Sequence, residues 1–215
     1  MSITPTLQAR ATYEKFSKKE GNQHIAGQFA IEAVLQLVQA FKVRSILELG
    51  LGIGSFSDAI LNFANTNGLA IDYTGTELND FCLGALAKNV DRYSSIDIKG
   101  TINDLNPEKK FDLIIIDGVD KSLEALTKHA GRNTVVFVEG GRFEQVVQLK
   151  KSFPDLLHTG VISDYKNAPG GPFETDKWSC GGGLFILYPN LQSRMYWLQQ
   201  RLRTAYIWRK RRFIS

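Results

Sequence analysis

Three glycines at alternate positions, Gly50, Gly52 and Gly54, separate the apolar run Ser45–Leu49 from a helix-forming stretch that opens at Ser55. Glycines at such a junction allow a tight turn and let a bound group approach the backbone without meeting a Cβ atom. The helix beyond offers free N–H groups in its first turn. A loop of this kind needs a strand before it and a helix behind it. The sequence supplies both, with Phe56, Ile60 and Leu61 at helical spacing after the glycines.

The same alternation continues along the chain. Ala30, Val34, Leu37, Val38 and Phe41 recur at helical spacing upstream of the loop. Downstream, a second strand is expected over Ile71–Leu78, a helix over Asp80–Asn89 and a third strand over Ser95–Ile102. Phe111–Asp117 holds four consecutive apolar residues between polar ends, the pattern of a strand buried on both faces. A helix over Lys121–Ala130, a strand over Thr134–Glu139 and a helix over Arg142–Ser152 follow. Strands alternating with helices predict right-handed βαβ units and an open, doubly wound α/β sheet covered on both faces. Leu157–Tyr165 and Gly183–Pro189 then break the rhythm, with a Gly/Pro-rich stretch between them instead of a helix. They predict an antiparallel hairpin that completes a mostly parallel, seven-stranded sheet. Residues 1–190 are therefore read as one domain, with 1–23 as an N-terminal extension.

Charge is unevenly distributed. Of 26 Lys and Arg residues, seven fall in 191–215, which has no acidic residue; the remaining 19 stand against 22 Asp and Glu. The body is mildly acidic and the tail basic. A hydrophobic content of 43% with 22% charged residues excludes a disordered or collagen-like chain. Cys82 and Cys180 are too few for a disulfide framework or a zinc knuckle and read as free thiols of a reducing compartment. No apolar run suits a secretory signal or a membrane span. A cytoplasmic address is expected.

Two carboxylates sharpen the loop. Glu48 stands two positions before the first glycine, and Glu77 closes the second strand 23 residues after the last one, where a carboxylate can accept both ribose hydroxyls. Together they point to a nucleoside-bearing cofactor at the strand C-termini. Both registers of a dinucleotide G-x-G-x-x-G motif end in serine, Ser55 or Ser57. The run Glu48-Leu49-Gly50-Leu51-Gly52-Ile53-Gly54 instead resembles the first motif of class I S-adenosylmethionine-dependent methyltransferases, a Rossmann-like family. The likeness spans roughly residues 25–189. It implies S-adenosyl-L-methionine as cofactor, with Gly50, Gly52 and Gly54 making room for it and Glu48 near its amino group. It further implies Glu77 on the ribose, Asn103 and Asp104 at the adenine, and Asp117 facing cofactor and substrate. Asp104 also reads as an ordinary turn residue, and Glu77 as a neighbour of a helix N-cap.

Methyl transfer needs an aligned nucleophile and often a base. Asp117, Asp120 and His24 are the catalytic candidates, Asp117 foremost because open α/β sheets place ligands at strand C-termini. The segment Phe111–Lys121 also resembles cation-dependent catechol-type O-methyltransferases. That group carries an Asp-Asn pair after its fifth strand, where this chain has Glu139-Gly140, so no metal ligands are assigned. The expected acceptor is an oxygen of a small molecule, glycan or lipid-linked intermediate. A NAD(P)-dependent oxidoreductase and a non-catalytic nucleoside-binding module are the alternatives. In the tail, Leu191, Met195, Leu198, Leu202 and Ala205 form one helical stripe, expected to pack on the domain. The cations and aromatics beyond it suit an anionic membrane surface and read equally as a solvated, partly frayed terminus, with nucleic acid as the weaker alternative.

Overall fold

The computed structural model describes residues 2–118 and 122–214. Seven strands form one sheet: β1 (Ser45–Leu49), β2 (Asp72–Thr76), β3 (Ile96–Lys99), β4 (Phe111–Ile116), β5 (Ala130–Glu139), β6 (Leu157–Val161) and β7 (Gly182–Ile186). Their order is β3-β2-β1-β4-β5-β7-β6. Strands β1 to β5 pair in parallel, whereas β7 runs antiparallel to both β5 and β6. The expected α/β sheet with a C-terminal antiparallel hairpin is present. Because β7 alone is reversed, β6 points the same way as β1–β5.

Alternation along the central strands sorts their side chains to opposite faces. Ile46, Leu113, Ile115, Val135 and Phe137 face a cluster with α2 (Gln28–Ala40), α3 (Ser55–Thr66) and α4 (Asp80–Asn89). Leu47, Leu49, Ile114, Ile116, Val136 and Val138 face the other cluster, with Leu123, Leu126 and Leu149. Each fully buried side chain of this size contributes roughly 1.5–3 kcal/mol. This two-sided burial is why β4 reads as an unbroken apolar run.

Four expectations need correction. The N-terminal extension packs on the domain through an unexpected helix: α1 (Pro5–Phe16) buries Gln8, Ala9, Thr12, Tyr13 and Phe16. Lys15 ties it to the buried Asp58 of α3 at 2.9 Å. The helix expected over Lys121–Ala130 is, within the described residues, a 3-10 turn at Leu123–Ala125 followed by the single turn α5 (Leu126–His129). Ala130 is then already strand, paired with Phe111, and the irregularity between there and Leu113 is bridged by Thr134, whose Oγ1 donates to the Phe111 carbonyl. Strands β2 and β3 are shorter than expected, because Glu77 and Asp104 close turns at their ends. The helix α6 (Phe143–Ser152) forms as expected.

The fourth correction concerns α7 (Leu191–Ile214). Its predicted stripe faces away from the domain, with Leu191 79% and Leu202 63% exposed. The packed side carries Ser193, Tyr196, Trp197, Thr204 and Ile207 instead. The reason lies in the partner. β6 is an edge strand with outward carbonyls, and Trp197 Nε1 and Thr204 Oγ1 donate to those of His158 and Gly160. A strand edge calls for donors rather than leucines.

Candidate functional site

The glycine loop leaves β1 between the ends of β2 and β4. Gly50 and Leu51 donate their N–H groups to the Thr76 carbonyl, while Asp117 and Gly118 donate theirs to the Leu49 carbonyl. Gly50 has φ +87°, and a Cβ there would lie 2.6 Å from Gly118 backbone atoms, so only glycine fits. Gly52, at φ +52°, is different: a Cβ would meet nothing within 4 Å, so this residue borders open space. Gly54 adopts a left-handed conformation as the N-cap of α3.

Glu77 locks the loop from the neighbouring strand. Its Oε2 accepts the Gly52 N–H at 2.8 Å, and its Oε1 accepts those of Leu78 and Asn79 at 2.9 and 2.8 Å. Beside it opens a cleft of about 330 Å³ lined by Gly50, Thr76, Glu77, Leu78, Asn103 and Gly118, among others. Leu78 projects there, 69% exposed. Of the expected pair after β3, Asn103 lines this cleft. Asp104 serves the turn: its Oδ2 accepts from the N–H and hydroxyl of Thr101 in a capping box.

Glu48 is buried beneath the loop. Ser57 and Tyr73 donate their hydroxyls to its Oε2, while Oε1 has no partner. Burial pushes its carboxyl up to about 8, which the two hydroxyls only partly offset. Asp117, at the end of β4, accepts a 3.1 Å bond from Arg142 Nη2, and the same nitrogen donates to the Asp117 carbonyl. Arg142 also bonds the carbonyl of Glu139 and stands 3.7 Å from its carboxylate. Burial raises both carboxyls and Arg142 pulls them down; for Glu139, the nearby Asp117 charge adds to the rise. Burial and Glu139 together push the Cys180 thiol up to about 11, which suppresses its thiolate. Gln145 steadies the Gly118 carbonyl at 2.6 Å.

The structure thus gathers Gly50, Glu77 and Asn103 at one cleft, with Gly52 bonded to Glu77 and Asp117 adjoining the cleft through Gly118. His24 is exposed in a 3-10 turn at Asn22–His24. The neighbouring Gly21 approaches Phe81 and Ile53, and the Ala26 N–H reaches Ser55, so this segment crosses the loop's outer side. Asp120 lies outside the described residues. Sequence reasoning missed Arg142, whose one signal is its position three residues after Glu139. Among the described residues no group of three or more His, Cys, Asp or Glu side chains has a metal-holding arrangement.

No protein-family model and no curated protein matches the chain. Solved structures do. An O-methyltransferase from Bacillus cereus, in complex with SAH, aligns over 84% of this chain and 90% of its own, with 12% identity and a TM-score of 0.60. The O-methyltransferase TomG from Streptomyces achromogenes, involved in tomaymycin synthesis and in complex with SAM, aligns over 88% and 92% at 12% identity, TM-score 0.57. An SAH-bound methyltransferase from Podospora anserina aligns over 85% and 88% at 11% identity, TM-score 0.55. At such identities the likeness establishes the fold, which is that of the class I methyltransferases.

Proposed function

We propose that the chain is an S-adenosylmethionine-dependent methyltransferase acting on an oxygen of a small-molecule, glycan or lipid-linked acceptor. The observation that carries this reading is the Gly52–Glu77 contact beside an open cleft. The Gly52 backbone is left without side-chain cover, and the carboxylate bonded to it is the group we assign to the ribose. Three backbone N–H groups take three of the roughly four acceptor sites of the Glu77 carboxylate, which leaves about one lone pair for a ribose hydroxyl. Asn103 and the exposed Leu78 would flank the base. Glu48, with Oε1 unpartnered, is assigned to the charged amino-acid end. The cofactor supplies an electrophilic methyl group, which leaves the protein to orient the acceptor and receive a proton. Asp117 suits the second of these roles, because its carboxyl is raised toward the range of a working base and its direction is set by Arg142. Asp120 and His24 remain the secondary candidates for it.

The three neighbours, two described as O-methyltransferases and all three bound to SAM or SAH, support the cofactor and the acceptor element. Arg142 stands against Asp117 and Glu139 with its own cation, and the reading assigns no metal. Titration calorimetry with S-adenosylhomocysteine tests the cofactor. Gly52→Asp introduces a carboxylate facing Glu77 at a φ that Asp tolerates. Binding is expected in the parent and a loss of about a hundredfold, or ~2.7 kcal/mol, in the variant. NADH binding with no S-adenosylhomocysteine binding would overturn the reading in favour of an oxidoreductase. Binding without methyl transfer to any hydroxylated acceptor would favour the non-catalytic module.

A further inference from the structure

We infer that α7 is a membrane-docking helix that lays its outward face on an anionic lipid surface. At 1.5 Å per residue, its 24 residues span about 36 Å. Leu191, Met195, Leu198, Leu202, Tyr206 and Phe213 recur at intervals of three, four or seven and are all exposed, Phe213 at 89%. Arg194, Arg201 and Arg212 run along one flank of this stripe, and Arg209 continues it. None of these four has a carboxylate partner among the described residues, whereas Lys210 stands 4.0 Å from Asp164. The opposite side of the helix is held by β6, by Phe41 against Tyr196 and by Phe29 beneath Arg203. The apolar stripe is therefore a fixed feature of the folded domain and not a frayed end.

Charge complementarity selects the occupant. An apolar stripe bordered by arginines, with no acidic residue in the helix, fits the boundary between anionic headgroups and acyl chains. A second copy of the same face would bring arginines against arginines with no carboxylate of α7 to pair them. A nucleic acid would satisfy the cations but would leave Leu191, Met195, Leu198 and Leu202 in water. Lipid alone answers both halves of the pattern.

The helix also places the cleft. Trp197, Thr204 and Arg211 bond in turn to His158, Gly160 and Ser163, so α7 advances alongside β6 in the strand's own direction. Its arginine-rich end reaches the end of the sheet where the glycine loop lies. If the methyltransferase reading holds, docking by α7 brings the cleft beside acceptors carried in the membrane, although the docking itself stands without that reading.

Co-sedimentation of the full chain tests the proposal, with vesicles of phosphatidylcholine alone or mixed with phosphatidylglycerol. Binding is expected to the mixed vesicles and at least tenfold weaker to the neutral ones. The pair Leu198→Gln and Leu202→Gln should lower binding about tenfold or more, and Arg209→Glu with Arg212→Glu should abolish the preference for anionic lipid. All four positions are exposed, so the melting temperature and S-adenosylhomocysteine binding should be unchanged, which keeps this test separate from that of the cofactor. Absence of binding to mixed vesicles overturns the proposal. So does a concentration-dependent dimer that Leu202→Gln dissolves, which would assign the face to a second copy. So too does tighter binding to single-stranded DNA that the leucine substitutions leave intact.

Discussion

At Gly50 and Gly52 the same substitution meets two different surroundings. Alanine at 50 adds a Cβ 2.6 Å from Gly118 backbone, which cannot swing aside as a side chain can, and does so at φ +87°. Alanine at 52 meets open space and carries the cost of a positive φ alone. The strained backbone costs about 1–3 kcal/mol and the overpacking a similar amount again. Gly50→Ala should therefore lower the melting temperature by roughly 5–15 °C, and Gly52→Ala by about half as much. Comparable losses would mean that the loop can shift away from β4. Arg142 presents the converse case, a charge whose removal leaves two carboxylates facing each other. Arg142→Met should destabilise the fold by about 1–3 kcal/mol, reduced from the value for a buried pair because the guanidinium is partly solvated. The loss should be larger at pH 8 than at pH 5, where Asp117 and Glu139 can both hold protons; denaturant unfolding at the two pH values measures it.

The pairing of α7 with β6 shows at the level of elements what sequence periodicity can and cannot say. The stripe of Leu191, Met195, Leu198 and Leu202 does share one helical face, but periodicity identifies a common face and not the side to which it turns. The packed face contains Ser193, Arg203, Thr204 and Arg211, a poor core by composition, because its partner is an open strand edge. The helix α1 is hidden in the sequence for a related reason: Gln8 and Thr12 interrupt its buried positions. Central strands were legible because two-sided burial writes itself as consecutive apolar residues. The glycine loop and Glu77 were legible because glycines and acids at βα junctions form a pattern, whereas Arg142, as far from Asp117 in sequence as Gly52 is from Glu77, belongs to no such pattern. If α7 protects the β6 edge, Trp197→Phe together with Thr204→Val should cost about 1–3 kcal/mol, from two hydrogen bonds near 1 kcal/mol each. Amide exchange across Leu157–Val161 should quicken in that variant while β1 and β4 keep their protection. Unchanged exchange in β6 would show that apolar packing, not the two donors, holds the helix.

Over the whole molecule, burial of acidic groups beneath the strand C-termini sets a direction for stability against pH. Glu48, Asp117 and Glu139 are all raised, with Glu48 at about 8 and desolvation the largest cause in each. When a folded-state carboxyl is raised, the unfolded chain gives up its proton first, so its contribution is complete below the unfolded value and is lost as pH climbs through the folded one. His158 acts in the opposite sense, because burial and Lys150 lower it and stability is lost as pH falls below its unfolded value of 6.5. The two trends overlap below pH 6.5, so the carboxyl effect is clearest between pH 6.5 and 8. In that window the melting temperature of the parent should fall as pH rises. Glu48→Gln removes the group that titrates highest while keeping an acceptor for Ser57 and Tyr73, so its melting temperature should decline less steeply. Thermal unfolding of both proteins across the window measures the difference. Parallel curves would mean that Glu48 stays ionised in the fold, with Tyr73 and Ser57 outweighing its burial. A flatter variant curve means that burial outweighs the two hydroxyls and holds the acid under the glycine loop protonated into this window.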